Sequence, residues 1–206
     1  MHPLEGRFSD RAASAGLDVA PALRQALFDY YDLLTRWNAK INLTSLSDPD
    51  EAIDRLLLEP VAAAQHLQRG ARLIDLGSGG GSPAIPLALT LDCRELVMVE
   101  SKSRKAAFLR EAAHQTHLSV IVLDQRFEVL SREPQFNGAF DLVSMRAVRM
   151  DEESLRTAMR FAAASGEVAL FVSEGASPPI PAGSRLKNRH RLLGNAELVR
   201  LFHVEQ

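Results

Sequence analysis

Cysteine is nearly absent from this chain, with Cys93 alone among 206 residues. No internal disulfide can form, and a reducing compartment is expected. Nowhere do the roughly eighteen apolar residues of a membrane span run together, and Met1-His-Pro-Leu-Glu-Gly-Arg7 has no basic segment leading into an apolar one. A cytoplasmic protein without membrane association is the expectation. Metal-ligand spacing is lacking as well: His114 and His117 stand at i, i+3 with no cysteine nearby and no third ligand, so no metal site is expected. Neither sign of charge dominates, because the net charge is -2. Any nucleic-acid contact must therefore come from a local patch. Residues 1–60 carry ten acidic and six basic side chains, the remainder sixteen and eighteen. Arg185, Lys187, Arg189, His190 and Arg191 form the densest basic cluster, which a solvated strand face explains as well as a nucleic-acid patch does.

What is present is an ordinary globular composition, 46% hydrophobic and 24% charged, on a chain long enough to bury a core. Leu23, Leu27, Tyr30, Leu34 and Trp37 recur at helical spacing and predict a helix over 21–38 whose apolar stripe faces the core. Asn42-Leu43-Thr44 reads as an irregular link. Asp48-Pro49-Asp50-Glu51 then has the form of a helix start, with Asp48 as N-cap, proline in the first turn and Glu51 reaching back, and this helix should run towards Leu67. From Arg72 onward, apolar runs alternate with helical stretches. Strands are expected at 73–76, 96–99, 120–123, 142–145 and 168–172, with crossover helices over 103–117 and 151–164, which predicts a parallel sheet. The tail predicts a hairpin, 186–192 with 198–204, joined through Gly194-Asn195. The whole is an α/β fold with a mostly parallel seven-stranded sheet, divided as an N-terminal helical extension over 1–67 and a Rossmann-like domain over 68–206.

The most informative stretch is Leu73-Ile-Asp-Leu-Gly-Ser-Gly-Gly-Gly-Ser-Pro83, a strand that breaks into a glycine-dense turn just after an acidic residue. Gly77, Gly79 and Gly81 permit positive φ and a close approach of backbone to ligand. Glu100, ending the next apolar run, stands where a carboxylate can accept both ribose hydroxyls of an adenosine. Gly79-x-Gly81-x-x-Ala84 also fits a dinucleotide fingerprint. Counting from the strand gives Asp75-x-Gly77-x-Gly79-x-Gly81, the form typical of class I S-adenosylmethionine methyltransferases. Asp75 favours this second reading, since a carboxylate at the mouth of the turn would repel a pyrophosphate and not a sulfonium. In a sheet of this kind the ligand crevice lies beyond the carboxyl ends of the strands, where Gly77, Glu100, the Asp124 to Glu128 segment and Met145-Arg146 converge.

Several segments together resemble the bacterial 16S rRNA guanine-N7 methyltransferase family known as RsmG or glucose-inhibited division protein B. They are Trp37-Asn-Ala-Lys-Ile-Asn-Leu-Thr-Ser45 with Asp48-Pro49, Asp75 to Pro86, Glu100-Ser101 with Arg104-Lys105 and Phe108-Leu109-Arg110, and Phe140-Asp141-Leu-Val-Ser-Met-Arg146-Ala147. The resemblance implies S-adenosylmethionine as cofactor and 16S rRNA or the small ribosomal subunit as partner; a monomer is expected, although the sequence itself does not fix the oligomeric state. The resemblance also implies that Gly77, Ser82, Glu100, Phe127, Glu128 and Arg146 line the cofactor site, with Asn42 and Arg55 towards the nucleotide. Arg146, Asn42 and Arg55 are thus the expected catalytic residues. Either Arg55 or Arg146 would reach guanine O6 while leaving N7 free.

Three departures lie towards the expected substrate side. The family's Arg-His is Arg55-Leu56 here, its Asp-Ser is Glu59-Pro60, and the lysine at the fifth strand's exit is replaced near Ser173-Glu174. They leave room for a non-catalytic or weakly active ribosome-binding relative, or for a methyltransferase with another acceptor, alongside the NAD-dependent oxidoreductase that the dinucleotide fingerprint allows. Stacking partners for a splayed base are few, Trp37 and Phe127, and core packing explains Trp37 better.

Overall fold

The computed structural model describes residues 2–204. The chain begins with a helix that sequence periodicity did not reveal, α1 (Glu5–Ser14). It buries only Phe8 and Ala12, and its N-cap, Leu4, offers no side-chain bond, so neither a stripe nor a cap marks it in the sequence. Phe8 meets Phe28 edge to face, with ring centroids 5.2 Å apart. The next helix, α2 (Pro21–Asn38), has the expected bounds, and Leu27, Phe28, Tyr30, Leu33 and Leu34 are its buried residues. Asn38 ends it by accepting from the amides of Leu43 and Thr44 at 2.8 and 3.0 Å, which folds the irregular link back on the helix.

The following helix runs from α3 (Pro49–Ala52) through a wide π turn, Ile53–Leu58, into α4 (Glu59–Ala64). Asp48 caps it by accepting from the Glu51 amide at 2.8 Å. The reciprocal half of the expected capping box gives way to an ion pair, for the Glu51 carboxylate stands 3.9 Å from Arg55. The π turn has a local cause in Pro60. Proline has no N–H, so it cannot donate to the Leu56 carbonyl four residues back, and an interior proline disrupts α pairing. The Glu59 amide reaches past Arg55 to the Asp54 carbonyl. Two carbonyls, those of Arg55 and Leu56, are thereby left for other donors.

The α/β part then alternates β1 (Arg72–Leu76), α5 (Ala84–Leu91), β2 (Glu95–Val99), α6 (Ser103–Gln115), β3 (Val120–Leu123), α7 (Phe127–Leu130), β4 (Phe140–Arg146), α8 (Glu152–Phe161), β5 (Ala162–Ser173), β6 (Ser184–Arg191) and β7 (Ala196–His203). The sheet order is β3-β2-β1-β4-β5-β7-β6. Its first five strands are parallel, and β7 and β6 pair antiparallel at one edge. Strand order therefore reverses between β1 and β4. Two boundaries differ from expectation. Helix α8 stops at Phe161 and the chain passes directly into β5, and both hairpin strands begin two residues earlier than their apolar residues suggest.

Successive strand residues point to opposite faces, and both faces are covered in β1, β2 and β4 and in the buried middle of β5, which is why these central strands read as apolar runs while the edge strand β6 is polar and mostly exposed. Leu73, Met98, Ala169 and Leu198 join the helices α1, α2, α4, α5 and α6 in one apolar cluster. Ile74, Val97, Val143 and Leu170 join α8 in a second. The residues before Arg72 thus share a core with the sheet. Among the described residues, no helix is long and apolar enough to cross a membrane.

Candidate active site

Beyond the carboxyl ends of β1, β2 and β4 lies an open cleft of about 600 Å³, bounded by the glycine turn, residues 43–46, Arg55, Glu100, the start of α7 and Arg146. It sits at the point of strand reversal, where open α/β sheets hold their ligands. The turn hangs from the end of β2, since the amides of Gly77 and Ser78 donate to the Val99 carbonyl at 2.9 and 3.0 Å. Gly77 has φ 76°, and a Cβ there would lie 2.3 Å from Val148 Cγ1, so the chain after β4 closes tightly over it. Glu100, only 7% exposed, is held by backbone: one carboxylate oxygen accepts from Gly79 N at 2.9 Å, the other from Lys102 N at 2.8 Å.

Not every expected residue of the turn faces this space. Gly81 points into the core, where a Cβ would stand 2.8 Å from Ile85 and 3.3 Å from both Leu109 and Tyr30. Its role is packing. Asp75 is 1% exposed and accepts the Ser144 hydroxyl at 2.5 Å across the β1–β4 register, and it does not line the cleft. Burial pushes its carboxyl up to about 6, against the Ser144 hydrogen bond. The carboxylate at the mouth is Glu100, so the repulsion ascribed to Asp75 belongs one strand over. Asn42 is exposed and outside the lining, and its neighbours Leu43 to Leu46 bound the cleft instead.

Gly79, Ser82, Phe127, Glu128, Arg55 and Arg146 do line it. Glu128 pairs with Arg126 at 3.2 Å. Trp37 packs against Phe108, centroids 5.9 Å apart, as a core residue. The two arginines differ sharply. The Arg146 side chain is 11% exposed and forms an ion pair with Glu59. It donates to the Arg55 carbonyl at 2.5 Å and to Ser82 Oγ at 3.0 Å, and lies 5.2 Å over the Phe171 ring. Ser82 in turn donates to the Leu56 carbonyl at 2.8 Å. Both carbonyls released by the π turn are therefore used here. The Arg55 side chain is 41% exposed, with Glu51 and Glu59 each 3.9 Å away. Burial pushes the Glu59 carboxyl up to about 7, against the attraction of Arg146 and then Arg55.

Sequence reasoning gave Glu59 only a place among the departures and Tyr30 only a place in the apolar stripe. Tyr30 lies fully buried in α2, and its hydroxyl donates to the Gly80 carbonyl at 2.5 Å, tying the N-terminal helices to the turn. Nothing in a helical stripe announces such a bond. Glu59 had a signal, a carboxylate followed by proline inside a helix. Glu174, near the third departure, pairs with Arg191 of the basic hairpin at 3.4 Å.

A family model described as rRNA small subunit methyltransferase G matches residues 23–177. The chain belongs to this family. A member of the family from Salmonella typhimurium, the ribosomal RNA small subunit methyltransferase G, is 36% identical over 133 residues, 64% of this chain and 64% of that protein. The matched region thus spans just under two thirds of the relative's length. Relatives from Salmonella newport and Salmonella typhi match equally. Among solved structures, MtNAS in complex with MTA and tNA superposes with a TM-score of 0.61 at 17% identity, over 89% of this chain and 71% of that one. A SAM dependent methyltransferase from Aquifex aeolicus gives 0.58 at 16% identity, over 79% and 97%. The putative methyltransferase yhhF from Escherichia coli gives 0.56 at 13% identity, over 67% and 80%. At these identities the likeness shows the fold, a sheet of the methyltransferase kind.

Proposed function

We propose that the chain transfers a methyl group from S-adenosylmethionine to N7 of a guanine in 16S rRNA, acting on the RNA or on the small ribosomal subunit. One observation carries the reading: Glu100 is buried at the end of β2 with its carboxylate facing the cleft, beside a turn whose glycines bare the backbone. Each of its oxygens accepts one amide and keeps a further lone-pair direction, which suits the two hydroxyls of a ribose. Family membership supports the same assignment.

S-adenosylmethionine, when bound, supplies a methyl group on a positively charged sulfur. Gly77 and Gly79 let the backbone approach that ligand, Glu100 orients it through the sugar, and Phe127 gives an apolar wall beside it. Guanine N7 already carries an exposed lone pair, so no proton leaves it before attack and no general base is required. The chain's contribution is to hold donor and acceptor in line, an effect worth roughly 7 to 11 kcal/mol where geometry is favourable. The nicotinamide reading loses support from Gly81, which should approach a pyrophosphate but packs against Ile85 and Leu109.

Labelled methyl transfer to 16S rRNA and to small subunits lacking the family's modification tests the proposal, with the product mapped by strand cleavage at N7-methylguanine. Label at one guanine is expected. Cofactor binding without any transfer would refute it in favour of a purely binding relative.

A further inference from the structure

The two arginines of the cleft share Glu59, which forms an ion pair with Arg146 and stands 3.9 Å from Arg55. Pro60 leaves the Leu56 carbonyl without its helical donor, and Ser82 takes it. The π turn leaves the Arg55 carbonyl free, and Arg146 takes that, together with Ser82 Oγ and the Glu59 carboxylate. Arg146 thus directs both of its terminal nitrogens to acceptors inside the protein, on residues 64 to 91 positions away in the chain. A guanidinium so engaged cannot turn to a base without giving up its contact with the buried Glu59 carboxyl, whose other cation, Arg55, stands 3.9 Å away. Among the described residues, the carboxylates that face the Arg55 guanidinium, those of Glu51 and Glu59, stand 3.9 Å away, and it lines the same cleft with 41% of its side chain exposed.

We infer that Glu59 and Pro60 position Arg146 as a fixed cation in the cleft floor, and that Arg55 is the residue that contacts the acceptor base. The inference rests on the methyl-transfer reading above and deepens it. A single donor from Arg55 to guanine O6 would select guanine, whose O6 accepts, over adenine, whose N6 amine donates, and would leave N7 free for the methyl group. Arg55 then acts on acceptor specificity, and Glu59 acts through Arg146.

The experiment measures thermal melting, S-adenosylmethionine affinity, and kcat and KM for unmethylated small ribosomal subunits. The variants are Arg55→Ala, Glu59→Gln, Arg146→Gln and the Glu59→Gln/Arg146→Gln pair. Arg55→Ala is expected to melt and bind cofactor like the wild type while KM for subunits rises on the order of tenfold or more. Glu59→Gln and Arg146→Gln should each lower the melting temperature. The paired variant, with neither charge left unpaired, should melt closer to wild type and regain part of the transfer lost by Glu59→Gln. An unchanged KM or an early melt in Arg55→Ala overturns the inference. So does a paired variant that regains its melting temperature but shows the Arg55→Ala rise in KM, because Arg146 would then meet the acceptor as well. Absence of transfer by the wild-type protein is a different result, and it removes the functional reading on which the inference stands.

Discussion

Asp75 and Glu100 end neighbouring segments of the same sheet, and their surroundings give them opposite uses. Glu100 accepts two backbone amides and faces the cleft, so Glu100→Ala removes both the proposed ribose acceptor and the anchor of the turn. Loss of a charged hydrogen bond of this kind costs about 1.5 to 3 kcal/mol, or roughly ten- to a hundredfold in affinity. Calorimetric titration with S-adenosylmethionine should show that weakening, and an unchanged constant would remove Glu100 from the site. Asp75 is enclosed, with its carboxyl raised to about 6. A raised acid favours the folded state at low pH, and that contribution is lost as the pH rises from the ordinary carboxyl range through 6. It corresponds to about 3 kcal/mol. Asp75→Asn should therefore flatten the fall in unfolding free energy between pH 4 and 7, measured by denaturant titration. Parallel curves for the two proteins would contradict this.

At the scale of elements, the turn after β1 is held from both sides of the chain. Its amides hang from β2 and the Gly80 carbonyl accepts the Tyr30 hydroxyl of α2. Tyr30→Phe keeps the ring and deletes one hydrogen bond, so a loss of about 0.5 to 1.5 kcal/mol is expected in chemical denaturation. Gly81→Ala should cost more, about 1 to 3 kcal/mol, because φ is 86° and the added methyl meets Ile85 within 2.8 Å. The π turn makes a separate prediction. Pro60→Ala supplies an amide that competes with Ser82 for the Leu56 carbonyl. Its melting temperature should stay level or rise while transfer to small subunits falls several-fold. Full transfer with a stable fold would show that the wide turn has no part in arranging the cleft.

Over the whole molecule, the helices before Arg72 and the helices α5 and α6 that cover the sheet bury one another. Leu27, Leu57, Leu73, Ala84 and Leu198 belong to a single apolar cluster, and Tyr30 adds a polar tie to the turn. A fragment beginning at Ala71 would expose to water the apolar sides of α5 and α6 that α2 and α4 cover. It is expected to bind a hydrophobic dye and to lose the sharp melting transition of the intact chain. A fragment that melts sharply and binds S-adenosylmethionine would show that the sheet is complete without its helices.

Much of this architecture is written locally. The 3.6-residue stripe of α2, the cap at Asp48, the alternation of apolar runs with helical stretches, and the glycine turn followed by Glu100 each depend on residues close in sequence, and each is legible there. The placement of the cleft follows too, because parallel strands must bring their carboxyl ends together. Helix α1 escaped, since two buried residues make no period. What the tertiary structure alone decided is which polar group faces which. Tyr30 reaches Gly80 across 50 residues, Ser144 reaches Asp75 across 69, and Arg146 reaches Glu59 across 87. Those pairings set Asp75 and Gly81 to hold the fold, and Arg55 rather than Arg146 at the open side. Local sequence carries the period and the turn, whereas the competition of donors for a buried acceptor is settled only when distant segments meet.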